Sequence, residues 1–253
     1  MVKTRKFERP QAGNPHGLTI DQHVFPSTSI ARFASGNGRV SLCDMSRRLV
    51  RATTPDDVVF CATRAWDQRA EAGYMKLIEG PFQDLAGKII KGLVATIGDK
   101  EKRIVNEFFA LWYMRSRHRS LEALEFQANG VTDSNLTKNQ EENLEKNGII
   151  FSRQGGRFPA RQLNGFTLQM WTYRYANDDL PVTQWGIIQA QNGEFIVPDV
   201  PTQTVIPLTP TLCLASPAPN GTIAKQNVAD INRAVMEASQ NYFFARDFSR
   251  CPI

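Results

Sequence analysis

A chain of 253 residues with 42% apolar and 22% charged side chains has the composition of a soluble globular protein and enough length to bury a sizeable core. Its most apolar run, KIIKGLVATIG, is far too short for a bilayer span and carries two lysines, so no membrane partner is expected. Cys43, Cys61, Cys213 and Cys251 stand far apart without a CxxC pair, which argues against structural zinc or a disulfide scaffold and for a reduced, cytoplasmic setting.

The basic start MVKTRKFERP is followed by no apolar stretch of a signal peptide; residues 1–16 read as a flexible basic arm, rich in charge, Pro and Gly. In QHVFPSTSIARFASGNG, Pro26 suits the first position of a short helix and Ile30 and Phe33 share its apolar face. RVSLCD and LVRATT alternate as two strands of a hairpin. A helix is predicted from about Ala62 to Glu79, with a break or kink at Gly80-Pro81. A second follows, with Phe82, Leu85, Ile89 and Leu93 at helical spacing. Gly73, Gly80 and Gly87 recur every seven residues, either to let helices approach or by coincidence. The strongest helical pattern runs from about Lys100 to Gln127, with Ile104, Phe108 and Leu111 as its apolar stripe. Next come the helix TKNQEENLEK and a strand, Gly-Gly turn and strand in IIFSRQGGRFPARQL. LQMWTYRY, TQWGIIQA and EFIVP read as strands, VPDVPTQTVIPLTPTLCLASPAPNG as an irregular path with short edge segments, and NVADINRAVMEASQNYFFA as a last helix. The fold class is therefore α+β: a central helical bundle, a short N-terminal hairpin and C-terminal antiparallel strands in a mixed or antiparallel sheet. Residues 17–253 form one domain, with a basic helix–hairpin insert at about 130–165.

The net charge of +5 is uneven. Residues 146–177 hold one Lys and four Arg without an acid, and YMRSRHRS places Arg115, Arg117 and Arg119 together. Such local fields suit a polyanion, although many basic proteins bind none. No dinucleotide-type GxGxxG, no GxxxxGK[ST], no GxSxG and no HExxH occurs, and three histidines cannot build a histidine-rich metal site.

Several stretches, taken in order, resemble one uncharacterised and mostly bacterial group, domain-of-unknown-function family 4238. They are QHVFPSTSIARFA, the Glu-bearing helix EAGYMKLIEG, FFALWYMRSRHRS, FIVPDVPTQTVIPLTP and the Asn-containing DINRAVMEASQNYFFA. The resemblance covers most of residues 20–247. It departs from the family pattern at Val24-Phe25 and at Pro198, where the family favours Tyr-Val and Ser. It implies no settled activity; a role in phage or plasmid conflict, an antiviral defence setting, is the association it carries.

Four polar residues stand where physics asks for a reason. His23 precedes a helix entrance, where a neutral imidazole is favoured; it serves either as base or metal ligand, or it bonds a carbonyl. Glu79 at a helical C-terminus needs a cation or a proton. Asp199, between two prolines in VPDVP, is either a scaffolded functional group or a turn cap. Arg115 continues a core stripe and must find a carboxylate or a phosphate. One functional expectation is a nucleic-acid-binding protein acting as a nuclease on RNA or single strands. Arg117, Arg119, Arg153, Arg157 and Arg161 would neutralise phosphates, and Phe158, Trp171 and Tyr173 would stack bases. His23, Glu79 and Asp199 would hold Mg²⁺ or Mn²⁺ and Arg115 would stabilise the phosphorane, making these four the catalytic set. The competing expectations are a non-catalytic binding module, a sensor or structural component facing an acidic protein partner, and an enzyme acting on a small acidic metabolite.

Overall fold

The computed structural model describes residues 7–119, 126–131, 134–180, 184–201 and 203–253 of the chain. The α+β class holds. β1 (Asp21–His23) is followed by α1 (Ser27–Ala31), for which Pro26 is the N-cap rather than the first helical residue. Ile30 and Phe33 are fully buried, as their spacing implies. β2 (Val40–Asp44) and β3 (Leu49–Thr53) form the expected hairpin, in register from Val40 opposite Thr53 to Asp44 opposite Leu49.

The helix expected from Ala62 starts later. Cys61–Thr63 is instead a strand, β4, paired antiparallel with β1 so that His23 lies opposite Cys61. The pairing is with residues some forty positions upstream, so no local pattern announces it. A π-helical turn, Ala70–Tyr74, then leads into α2 (Met75–Ile90). The backbone bends at Gly73 (φ −98°, ψ −109°), and α2 runs through Pro81 unbroken. A side chain at Gly73, Gly80 or Gly87 would meet nothing within 4 Å; the sevenfold spacing marks no helix contact.

α3 (Asp99–His118) is buried almost all round in its second half, and its expected extension over 120–125 falls outside the described residues. Beyond them, Phe126–Gln127 is a strand, β5, rather than helix. α4 (Lys138–Lys146) begins on a reciprocal cap in which Thr137 and Gln140 satisfy each other's backbone N–H. β6 (Arg157–Phe158) pairs with β5, and ARQL then opens α5 (Ala160–Arg174), which ends in a π-helical turn, Tyr175–Asp179. The strand expected at LQMWTYRY is thus helix. Its buried residues include Arg161, Gly165, Leu168 and Thr172, with Ala176 in the turn that follows, a helical spacing carried largely by polar and small side chains that a hydrophobicity pattern does not register.

β7 (Gly186–Ala190), β8 (Val197–Pro198), β9 (Val205–Thr209), β10 (Leu212–Ala215), β11 (Gly221–Ile223), α6 (Lys225–Ala238) and β12 (Tyr242–Ala245) complete the chain. One sheet has the order β11-β7-β10-β9, with β11 parallel to β7 and the other pairs antiparallel. The proline-rich path is more regular than expected, and Pro207 sits on the edge strand β9, where its missing N–H costs no ladder bond. The other sheet has the order β3-β2-β12-β8. The last helix therefore stops at Ala238, and YFFA, buried at every position, runs between β2 and β8.

Aromatic rings weld α3 to this second sheet. Phe25 lies 4.5 Å from Trp112 and 6.4 Å from Phe244, while Phe60 meets Tyr242 at 5.2 Å and Phe244 at 5.3 Å. On the other flank of α3, Phe82 stacks on Phe108 and Phe109 lies 5.9 Å from Trp185. α5 approaches the start of the π-helical turn at Gly165, where an added Cβ would stand 2.1 Å from Asp67 Oδ1 and 3.0 Å from Ala70 Cβ. Gly165→Ala is expected to destabilise the protein by about 1–3 kcal/mol through this overpacking, whereas Gly87→Ala should be neutral or stabilising. Urea unfolding of the two variants checks the contrast.

Candidate functional site

Of the four residues singled out by sequence, Arg115 and Glu79 meet, while His23 and Asp199 each have other partners. Arg115, 2% exposed, donates through Nη1 to Glu79, lies 3.8 Å from Glu71 Oε2, directs Nε and Nη2 at Met75 Sδ at 3.3 and 3.2 Å, and stands over the Trp66 ring at 5.6 Å. Burial opposes its charge, but Glu79 and Glu71 outweigh that and raise its pKa above the ordinary value. Glu71 reaches Arg115 because the π-helical turn places it there, and it also accepts from Trp66 Nε1. The stripe of α3 thus does end in a paired cation, and the partners come from this chain.

His23 is half-buried on β1, its Nε2 3.1 Å from the Pro55 carbonyl. Asp199 is buried and fully used: Oδ1 accepts from Gln240 N (2.9 Å), and Oδ2 accepts from Asn241 N (2.8 Å) and Asn241 Nδ2 (2.7 Å). It caps the turn from α6 into β12. Among the described residues no group of three or more His, Cys, Asp and Glu side chains is arranged to hold a metal ion. Of the residues expected to hold Mg²⁺ or Mn²⁺, Glu79 faces Arg115, His23 faces the Pro55 carbonyl and Asp199 caps the Gln240–Asn241 turn.

The basic insert is corrected as well. Arg153 bonds Glu141 (Nε to Oε1, 2.8 Å) and Glu8; Arg161 bonds Glu145 (Nε to Oε2, 2.8 Å) and Glu8; Arg64 meets Glu145 Oε2 at 2.7 Å. With Lys138 also on Glu8 and 3.7 Å from Glu142, four cations face four carboxylates. Glu141, Glu142 and Glu145 are all buried. Arg153 and Arg161 thus hold the fold together and are not presented to a ligand. Arg157 is exposed, its Nε donating to Gln154 O at 3.1 Å, and Phe158 is half-buried opposite Phe126. The same network fixes residues expected to be loose. Glu8 O accepts from Arg64, while Gln11 donates to Glu142 through N at 2.8 Å and Nε2 at 3.0 Å. Residues 7–16 are docked on α4, not a free arm. Arg119 is likewise structural, bonding Val59 O (2.9 Å) and Cys61 O (3.1 Å) and lying over Tyr242. The one advance sign of this network was the acidic run of α4, Glu141, Glu142 and Glu145, directly before the basic stretch.

What remains open to solvent is the face shared by α3 and α5. The helices run antiparallel there, with His118 beside Trp171 (5.0 Å) and Tyr113 stacked on Tyr175 (4.9 Å, 20°). Trp171 is 44% and Tyr173 70% exposed. Arg117, exposed, lies over the Tyr113 ring at 5.7 Å and has no ion-pair partner among the described residues. Behind this surface His118 is buried, Nδ1 2.8 Å from Met114 O, with burial chiefly and Arg117 next holding its pKa below the ordinary value. A neutral ring donating from Nδ1 supports the indole edge.

No family model matches this chain, and neither does a curated protein or a solved structure. No helix among the described residues is long and apolar enough to cross a membrane.

Glu8 supplies a pH signature of the network. Burial pushes its carboxyl up, but Arg161, Arg153 and Lys138 together hold it down at about 2, against an ordinary 4.5. A carboxylate depressed on folding contributes stability above its unfolded pKa and loses it as pH falls toward the folded one. Wild type is therefore expected to lose stability between about pH 4.5 and about 2 more steeply than Glu8→Gln. Urea midpoints measured across that range test this, and parallel curves would remove Glu8 from the network.

Proposed function

We propose that the protein binds single-stranded nucleic acid, RNA or DNA, across the α3–α5 face. The observation that carries this reading is the pairing of an exposed ring with a cation on adjacent helices. Trp171 offers a π-face at the edge of α3, and Arg117 sits over Tyr113, which stacks on Tyr175 one turn along α5 from Trp171. Tyr173, two positions from Trp171 on the same helix, points away from this face. Bases stack on such rings with little regard to sequence, and arginine adds phosphate and cation–π contacts. Of the basic and aromatic residues expected from sequence, Trp171 and Arg117 therefore stay in the interface, with Arg157 and Phe158 on the neighbouring hairpin, and Tyr173 lies outside it. Arg119, Arg153 and Arg161 leave it. All four cysteines are free, which suits the reduced cytoplasm in which such a ligand is met. Hydrolysis is not part of the proposal, because His23, Glu79 and Asp199 are spent on separate partners.

Trp66, Trp112 and Trp185 are buried, so quenching of tryptophan fluorescence by an added oligonucleotide reports on Trp171. Trp171→Ala is expected to weaken binding of a single-stranded oligonucleotide by about 5- to 150-fold, the range of one lost stack, and Tyr173→Ala to leave it unchanged. Arg117→Ala should reduce the salt slope of log affinity by about 0.7. Fluorescence anisotropy at several salt concentrations measures both. Unchanged affinity in Trp171→Ala and unchanged slope in Arg117→Ala would sink the reading. Strand cleavage in Mg²⁺ or Mn²⁺ that disappears in His23→Ala and Asp199→Ala would restore the nuclease.

A further inference from the structure

The two larger sheets end on four edge strands, β11, β9, β3 and β8, and a bare edge invites a further strand. Three of the four are blunted. β8 is two residues long and contains Pro198, β9 carries Pro207 and buries its three central residues, and β11 has three residues, the first a glycine. β3 differs. It spans five residues without a proline, and Leu49, Val50 and Ala52 are exposed, the first two at 50% and 59%. Which of its backbone groups point outward follows from β2. Met45 N donates to Asn241 O, so Ser41, Cys43 and Met45 turn their backbone groups to β12, and Val40, Leu42 and Asp44 turn theirs to β3. The residues opposite those three are Thr53, Arg51 and Leu49. The N–H and C=O groups of Val50 and Ala52 are therefore left facing solvent.

The charge along this edge is ordered. At its start, the turn from β2 exposes Arg47 and Arg48 against one acid, Asp44, which lies 3.8 Å from Arg47. Past its end come Asp56 and Asp57 against one base, Arg51, whose Nη1 is 2.7 Å from Asp57 Oδ2. Arg48 and Asp56 are both exposed, and neither forms an ion pair among the described residues. A parallel neighbour of the same sequence would set like charge against like, whereas an antiparallel one sets the basic start against the acidic end. The outward groups of Val50 and Ala52 allow only registers in which even-numbered residues face even-numbered ones. Centring the pair on Arg51 would oppose two guanidinium groups. Centring it on Ala52 instead brings Arg48 opposite Asp56 and lays Leu49 beside Pro55.

We propose that β3 is the docking edge for a second copy of this chain, the two strands pairing antiparallel about Ala52 across a two-fold axis. The Ala52 residues exchange N–H to O=C bonds, Arg48 of each copy meets Asp56 of the other, and the exposed Leu49 and Val50 are covered. Arg51, which comes within diagonal reach of its counterpart, is already neutralised by Asp57. The contact uses no residue of the α3–α5 face and stands independently of it. Sedimentation equilibrium of the full chain, from micromolar to millimolar concentration at low ionic strength, is expected to show a monomer–dimer equilibrium that weakens as salt is added. Arg48→Glu, which opposes like charges twice per dimer, should weaken it at least about tenfold. Combining Arg48→Glu with Asp56→Arg should restore the wild-type constant. Ala52→Pro removes an outward N–H and no ladder bond; it should keep the wild-type urea midpoint and lose the dimer. The proposal is overturned if the chain stays monomeric throughout the range, or if the charge-swapped double variant fails to recover what the single one loses. A dimer indifferent to Arg48→Glu also overturns it, and would place the contact elsewhere, as at the exposed Phe166 and Met170 of α5.

Discussion

The largely buried pairing of Glu141 and Glu145, with half-buried Glu8, to Arg64, Arg153 and Arg161 constrains the rest of the molecule. Desolvated charges are expensive, and removing one partner strands another. The six side chains therefore hold one another in place, and with them the N-terminal segment, the residue after β4, α4, the β6 turn and α5. Such a network adds little net stability over an apolar core. What it specifies is which segments meet. It also redirects the functional reading, because a stretch without acids looks like a polyanion site only while its partners, one at position 8 and two on α4, are out of view.

How much of this was legible depends on whether a signal was local. The β2–β3 hairpin, α4 with its Thr137 cap, and β7 follow from alternation, turn residues and capping chemistry within a few positions. α5 was hidden because its inward face is Arg161, Gly165 and Thr172, each inside for a reason found elsewhere in the chain: Arg161 for Glu145, and Gly165 for the close approach of Asp67. β4 and β12 were hidden because each is defined by a partner far away. The run YFFA, apolar at every position, suits a strand covered on both faces as well as the end of a helix, and only its place between β2 and β8 decides.

The candidate site shows the same division. That Arg115 must be paired was readable from its position on the α3 stripe, since an unpaired buried guanidinium is untenable. That Glu79 would be one partner was among the readings of the sequence; that Glu71 would be the other depends on the π-helical turn, which no residue pattern announces. Asp199 took the role of a turn cap, with three N–H donors around it, and the rigid proline-flanked loop serves the start of β12. Asn232, in the sequence DINRAVMEASQNYFFA, proves to be a strut between three segments, so a polar residue on an otherwise apolar helix face need not be a chemical one.

α3 gathers these strands of the argument in one element. Its inner side carries Phe108 and Trp112 into the aromatic core, and one turn later Arg115 is locked by two carboxylates. Because those acids satisfy Arg115, the positive charge at the C-terminal end of α3 that reaches solvent beside α5 is that of Arg117, linked to α5 through the Tyr113–Tyr175 stack. His118, kept neutral chiefly by burial, fixes the Trp171 ring from below without adding a charge. A ring whose orientation the protein already holds by an edge contact loses little freedom when a base covers it, so the interior pairing and the exposed stacking surface are two consequences of the same helix.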